Sequence, residues 1–168
     1  MNAIVLYTRE SDKEVAFEYN FFDNQFAPGN LVVRKVLMSM LNSVRQRLTH
    51  LEVEYNDSML ADKLGAKRAG ELLRFLGATR ENRRDNRSGE IVVSRTFRAE
   101  LTSERFEYFY NLLDVSELSH YRLLEGERDR IVFYFTQYLL LRCPSEESAL
   151  FLKQLDDMQV PYKLVSIQ

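Results

Sequence analysis

Seven cations crowd one short stretch of this 168-residue chain: Lys67, Arg68, Arg74, Arg80, Arg83, Arg84 and Arg87. At this density they offer charge and N–H donors to phosphate oxygens, and arginine also carries a fork that fits guanine edges. The excess is local. Residues 61–100 hold 10 basic and 6 acidic side chains, a net of +4, against 6 and 8 in residues 1–60 and 7 and 11 in residues 101–168. The whole-chain charge of −2 conceals this basic middle between acidic flanks. A solvated hairpin face is the bland reading of the same residues.

Other chemistry is thin. His50 and His120 are far apart in the chain, with no acidic or cysteine ligand spacing beside either, so no metal site is assigned. Cys143 stands alone, which excludes an internal disulfide and reads as a small core hydrophobe. No glycine-rich phosphate loop is present. The run Tyr7-Thr8-Arg9-Glu10-Ser11 resembles the opening of the serine recombinases, where the serine is the nucleophile. The later arginine cluster and acidic segment of that family are missing, so Ser11 is left as a polar turn residue. The expectation is a protein without catalytic residues or cofactor.

The elements that must position the cations follow from periodicity. Residues 3–8 and 14–22 read as strands of an N-terminal hairpin, the second alternating Val15, Phe17, Tyr19 and Phe21. Residues 31–51 carry Val33, Val36, Leu37, Met40, Leu41, Val44 and Leu48 at helical spacing, and 51–55 is strand-like. Asn56-Asp57-Ser58 offers a helix cap, followed by short helices at 59–64 and 67–76. Residues 78–89 are a polar connection and 90–101 a strand. Thr102-Ser103-Glu104 opens another helix. Residues 116–129 are ambiguous, 130–143 is a long strand or a bulged strand pair, and a helix after Pro144 leads to a final strand at 160–167.

Residues 58–77, SMLADKLGAKRAGELLRFLG, resemble the helix-turn-helix of many DNA-binding regulators. Ala61 is the small residue of the first helix, and Leu64-Gly65 matches the turn. Ala69, Leu72, Leu73 and Leu76 form one buried stripe of the second helix, and Lys67, Arg68, Glu71 and Arg74 its other face. Glu71 departs from the usual spacing, which is restored if the turn is one residue longer and Leu72 goes inside. The resemblance implies a winged helix over 31–98, with Ala78–Arg84 and Glu90–Arg98 as a wing around a tip at 86–89.

The expected architecture is therefore α+β: an N-terminal hairpin (1–30), a winged-helix-like segment (31–98) and a C-terminal β-α-β layer, half ferredoxin-like (99–168), for dimerisation or partner binding. The functional expectation is a nucleic-acid-binding regulatory or accessory protein that grips duplex DNA through the seven cations. The alternative is a protein-interaction module, an inhibitor or adaptor. A homodimer is expected because residues 131–141 are apolar on both faces. That stretch is too short to span a membrane, and the first residues lack the basic start of a signal peptide, so the expected location is cytoplasmic.

Overall fold

The computed structural model describes residues 2–167. β1 (Ile4–Glu10) and β2 (Glu14–Asn20) form the N-terminal hairpin, with Leu6 opposite Tyr19 and Arg9 opposite Ala16. A single turn, α1 (Phe21–Asn24), leads to α2 (Leu31–Val44). Asn30 caps α2, its side-chain oxygen accepting from the Val32 amide at 2.8 Å. α2 stops at Val44 and does not run on to residue 51. The chain turns through an Arg47–Val44 backbone bond, so that Leu51, Val53 and Tyr55 can alternate inward from β3 (His50–Tyr55).

Asn56 caps α3 (Asp57–Leu64) through the Met59 amide at 3.0 Å. Gly65, at φ +85°, is the single residue between α3 and α4 (Ala66–Phe75), where a side chain would be strained. The expected arm 78–84 is mostly loop. Thr79 and Asn82 exchange side-chain-to-backbone bonds at 2.8 and 3.1 Å, and the Asn82 amide reaches the carbonyls of Gly77 and Arg98. The hairpin that follows is β4 (Arg83–Ser88) and β5 (Ile91–Glu100). Its tip lies at Gly89-Glu90, where Gly89 supplies the positive φ, and not at residues 86–89.

Thr102 caps α5 (Ser103–Tyr110). The ambiguous stretch contains β6 (His120–Glu125), and the long apolar run divides into β7 (Arg128–Tyr134) and β8 (Tyr138–Pro144). They join through the three residues Phe135, Thr136 and Gln137 between the paired Tyr134 and Tyr138, and Phe135 and Thr136 are both left-handed. A 3-10 turn at Ser145–Glu147 enters α6 (Ser148–Asp157), and β9 (Tyr162–Ser166) closes the chain.

All nine strands form one sheet in the order β4-β5-β3-β6-β7-β8-β2-β1-β9, antiparallel except for β1 with β9. Residues 1–30, 31–98 and 99–168 each contribute strands to it. β8, α6 and β9 make the C-terminal β-α-β, but β2 and β1 lie between its two strands. One sheet face is apolar. Leu6, Phe17, Tyr121, Phe133, Leu141 and Phe97 pack there with Val36, Met40 and Leu41 of α2, Phe109 of α5 and Phe151 of α6. Rings meet within this layer, Phe17 with Phe151 at 4.9 Å and Tyr121 with Phe133 at 5.3 Å. The opposite face carries the alternate residues of each strand, and among the described residues no helix lies over it.

Gly77 shows how tightly α4 is tied down. It ends the helix at φ +102°, and a Cβ built there would lie 2.6 Å from the Ala99 Cβ and 3.0 Å from the Arg105 guanidinium. That guanidinium holds the Phe75 and Glu100 carbonyls at 2.9 and 2.8 Å. Gly77→Ala is expected to cost about 2 kcal/mol or more, since it combines backbone strain with a clash that neither neighbour relieves cheaply. The check is a lowered urea midpoint at unchanged m value.

Candidate nucleic-acid interface

The seven cations are all exposed, but they are not equivalent. α4 buries Ala69 and half-buries Leu72 and Leu73, so Lys67, Glu71 and Arg74 recur on its outer side. Arg68 is committed elsewhere: its guanidinium pairs with Glu117 at 2.7 Å, and Glu117 also accepts the Tyr108 hydroxyl at 2.5 Å. Burial, followed by that carboxylate, pushes the Tyr108 hydroxyl far above its ordinary pKa. Lys63 donates to the Ser116 carbonyl. The loop after α5 thus lies against the start of α4. The groove between α4 and this region is lined by Glu104, Glu107, Asp114 and Glu117.

Arg80 sits in the turn between α4 and β4. Arg83 and Arg84, adjacent on a strand, leave by opposite faces. Arg83 is opposite buried Phe97 and so lies on the helix side. Arg84 is opposite Thr96 on the helix-free side and approaches Glu52 at 3.8 Å. Arg87 pairs with Asp85 at 3.3 Å and donates to the Glu90 carbonyl. Among the described residues, Lys67, Arg74, Arg80 and Arg83 form no ion pair, whereas Arg68, Arg84 and Arg87 each do. The seven therefore divide into four unpaired cations and three that an internal carboxylate already engages.

The helix-free face holds residues that sequence reading did not connect. Glu52, with its side chain 7% exposed, meets Arg98 at 3.4 Å and also Arg122, with Arg84 beyond. Asp129 holds Arg122 from its other side at 3.1 Å. Beside this cluster, Glu54 accepts the Ser94 hydroxyl at 2.6 Å and faces His120 Nδ1 at 2.9 Å. The carboxylate stands between hydroxyl and imidazole, so His120 does not reach Ser94 and the order of the three groups is not that of a Ser-His-Asp relay. Tyr134 meets His120 edge-on at 5.0 Å and stacks on Tyr138 at 5.4 Å. Only strand register brings these groups together: Glu52 lies between Arg98 and Arg122, and Glu54 between Thr96 and His120.

His50 contacts Thr49 Oγ1 at 2.8 Å, remote from His120 in this network. Cys143 is fully buried, and that burial pushes its thiol up to about 11, so it is a neutral packing residue at physiological pH. Among the described residues no three of His, Cys, Asp and Glu gather as metal ligands, and no helix is long and apolar enough to cross a membrane.

No protein-family model, curated protein or solved structure matches this chain.

Glu52 gives a direct test of the network. Glu52→Ala leaves Arg98 and Arg122 facing each other without their shared counter-charge. Breaking a fully buried pair in this way costs roughly 3–5 kcal/mol. Arg98 and Arg122 remain 31% exposed, so solvent screening reduces the expected loss to about 2 kcal/mol, measurable by equilibrium urea unfolding.

Proposed function

We propose that this protein binds duplex nucleic acid at the β4 end of its sheet, with α4, the turn that follows it and β4 facing the phosphates. The observation that carries the reading is the set of four exposed, unpaired cations along consecutive elements: Lys67 and Arg74 on α4, Arg80 in the turn and Arg83 on the helix side of β4. An exposed cation without a carboxylate partner is free to displace the counterions condensed on a duplex, the main source of sequence-independent affinity. Chain order supports the winged-helix reading of this region: α2, β3, α3, α4 and a hairpin follow in turn, and β5 pairs with both β3 and β4. The acidic groove beside α5 repels phosphate and bounds the interface on that side.

Self-association belongs to the same proposal, by a different route from the one the sequence suggested. The two apolar faces argued for 131–141 belong to β7 and β8, whose Ile131, Phe133, Leu139 and Leu141 are covered by the core while Val132 and Leu140 lie on the helix-free face, and neither strand has a free edge. β9 has only β1 beside it and exposes Leu164, which leaves its outer edge for a second copy. Sedimentation equilibrium is expected to show a dimer at high protein concentration. A sharp monomer throughout defeats that part alone.

The interface is tested by salt titration of binding to a labelled duplex of mixed sequence. Wild type is expected to bind with a steep salt dependence. Arg74→Ala with Arg83→Ala is expected to weaken binding to every duplex and to reduce the logarithmic salt slope by about 1.8, two contacts at about 0.9 each. Arg68→Ala is expected to change the slope by less than one contact, since Glu117 already engages that guanidinium. Thermal unfolding serves as the control, because exposed arginines usually shift stability by under about 0.5 kcal/mol. If wild type binds no duplex, or the double variant binds as wild type does, the proposal fails and the protein-interaction reading takes its place.

A further inference from the structure

Arginines on the helix-free face of the sheet are set against carboxylates: Arg84, Arg98 and Arg122 all converge on Glu52. Arg9 of β1 and Arg142 of β8 break this pattern. Among the described residues neither forms an ion pair or a side-chain hydrogen bond, and both are exposed. Strand register puts them in one row, Arg9 opposite Ala16 and Ala16 opposite Arg142. They therefore stand two strands apart, about 10 Å at roughly 4.8 Å per strand, with only a methyl group between them. Both line a cavity of about 290 Å³ whose floor includes Ala16. Like charges on one sheet face repel unless a counter-charge lies between them, and the alanine leaves that place open.

The surroundings narrow the anion that fits. Glu18, two residues from Ala16 on β2, lines the same cavity and pairs with neither arginine. Its carboxylate is a ready acceptor for hydroxyl groups. Leu140 is opposite Glu18 on β8, and Tyr138 lies two residues before it. Both are half-buried, and both line this cavity and the adjoining one of about 460 Å³. Tyr138 stacks on Tyr134, and Val132, opposite Leu140, is only 6% exposed on this uncovered face. Together they make a floor for a flat ring. An anion seat, a hydroxyl acceptor and an aromatic floor thus follow one another, each within about 7 Å of the next.

We infer that this row binds a nucleoside 5′-monophosphate. The phosphate sits over Ala16 between Arg9 and Arg142, the ribose hydroxyls meet Glu18, and the base lies on Leu140 and Tyr138. Charge matches: a phosphate monoester carries about −1.5 to −2 at neutral pH, against two guanidinium groups whose forks suit its oxygens. Stacking on a tyrosine accepts any base. The same group is offered by a free nucleotide and by the 5′-phosphorylated end of a single strand. β8 lies five strands from β4, so the site does not rest on the duplex interface.

The test titrates full-length protein, by amide chemical shift, with AMP, a 5′-phosphorylated tetranucleotide, adenosine and inorganic phosphate. AMP or the tetranucleotide is expected to saturate, with shifts at residues 7–9, 16–18 and 138–142, and the tighter of the two identifies the source. Adenosine and phosphate each lack part of the contacts and are expected to bind at least about tenfold more weakly. Arg9→Ala and Arg142→Ala are each expected to weaken the nucleotide about tenfold, the worth of one charge-assisted hydrogen bond. Ala16→Glu supplies the counter-charge from within the chain. It is expected to abolish nucleotide binding while the thermal midpoint stays at or above that of wild type. No saturation by either nucleotide probe overturns the inference. So does inorganic phosphate binding as tightly as AMP, or wild-type affinity in Ala16→Glu or in both arginine variants.

Discussion

Side chains alternate across every strand of this sheet, while helices cover only one of its faces. That asymmetry governs the rest of the molecule. On the covered side, Leu6, Phe17, Phe133 and Val53 leave water altogether, at roughly 25 cal/mol for each Å² of apolar surface removed. On the other side the same strands must remain compatible with water while still packing side chain against side chain. Carboxylate and guanidinium groups set opposite one another on neighbouring strands meet that requirement. Glu52 is the point where it is met most densely, since three arginines from three strands converge on it. Elsewhere, the Arg130 side chain, 3% exposed, is held between Glu14 at 2.6 Å and Glu125 at 2.9 Å, and Glu125 also meets Arg47 after α2. Burial raises the Glu14 carboxyl, but Arg130 and Arg128 outweigh it and leave the group below its ordinary range.

The basic segment is fastened to the rest of the fold by specific hydrogen bonds. α3 and α4 are joined by one residue, and Arg105 and Asn82 fasten the far end of α4 to β5 and its flanks. Lys67, Arg74 and Arg83 therefore project from elements that are tied to the sheet.

Local periodicity made the helices and most strands legible. Val33 through Val44 spell one amphipathic face, Asn56 and Thr102 announce their helices, and Gly65 marks the break between α3 and α4. What escaped was nonlocal. Residues 116–129 look polar and featureless because β6 sets its buried Tyr121, Leu123 and Leu124 among His120 and Arg122, which face outward, and breaks the alternation with two adjacent buried leucines. The division of 130–143 was hidden because Phe135 and Thr136 are not turn formers; backbone bonds from Phe135 to Ser119 and from Gln137 to Tyr134 close the turn. The ion pairs were less accessible still. Nothing local to Arg68 points to Glu117, nor to His120 toward Glu54, since each pair is assembled by chain returning from far away. Basic composition alone counted seven equal cations, whereas tertiary pairing reserves three of them.

The edge strand β4 has a further role that follows from its composition. An open sheet exposes unpaired backbone N–H and C=O groups along its outermost strands, and these can template growth by other chains. β4 is almost entirely polar, and Arg83, Arg84, Asp85 and Arg87 would all lose hydration if a second strand docked beside it. Like-charged molecules meeting at this edge also repel one another. The arginines thus act as gatekeepers of colloidal stability, whatever else they contact. Replacing them with uncharged residues would leave a growth-competent β edge, so the charge of this segment is tied to solubility as well as to any contact it makes.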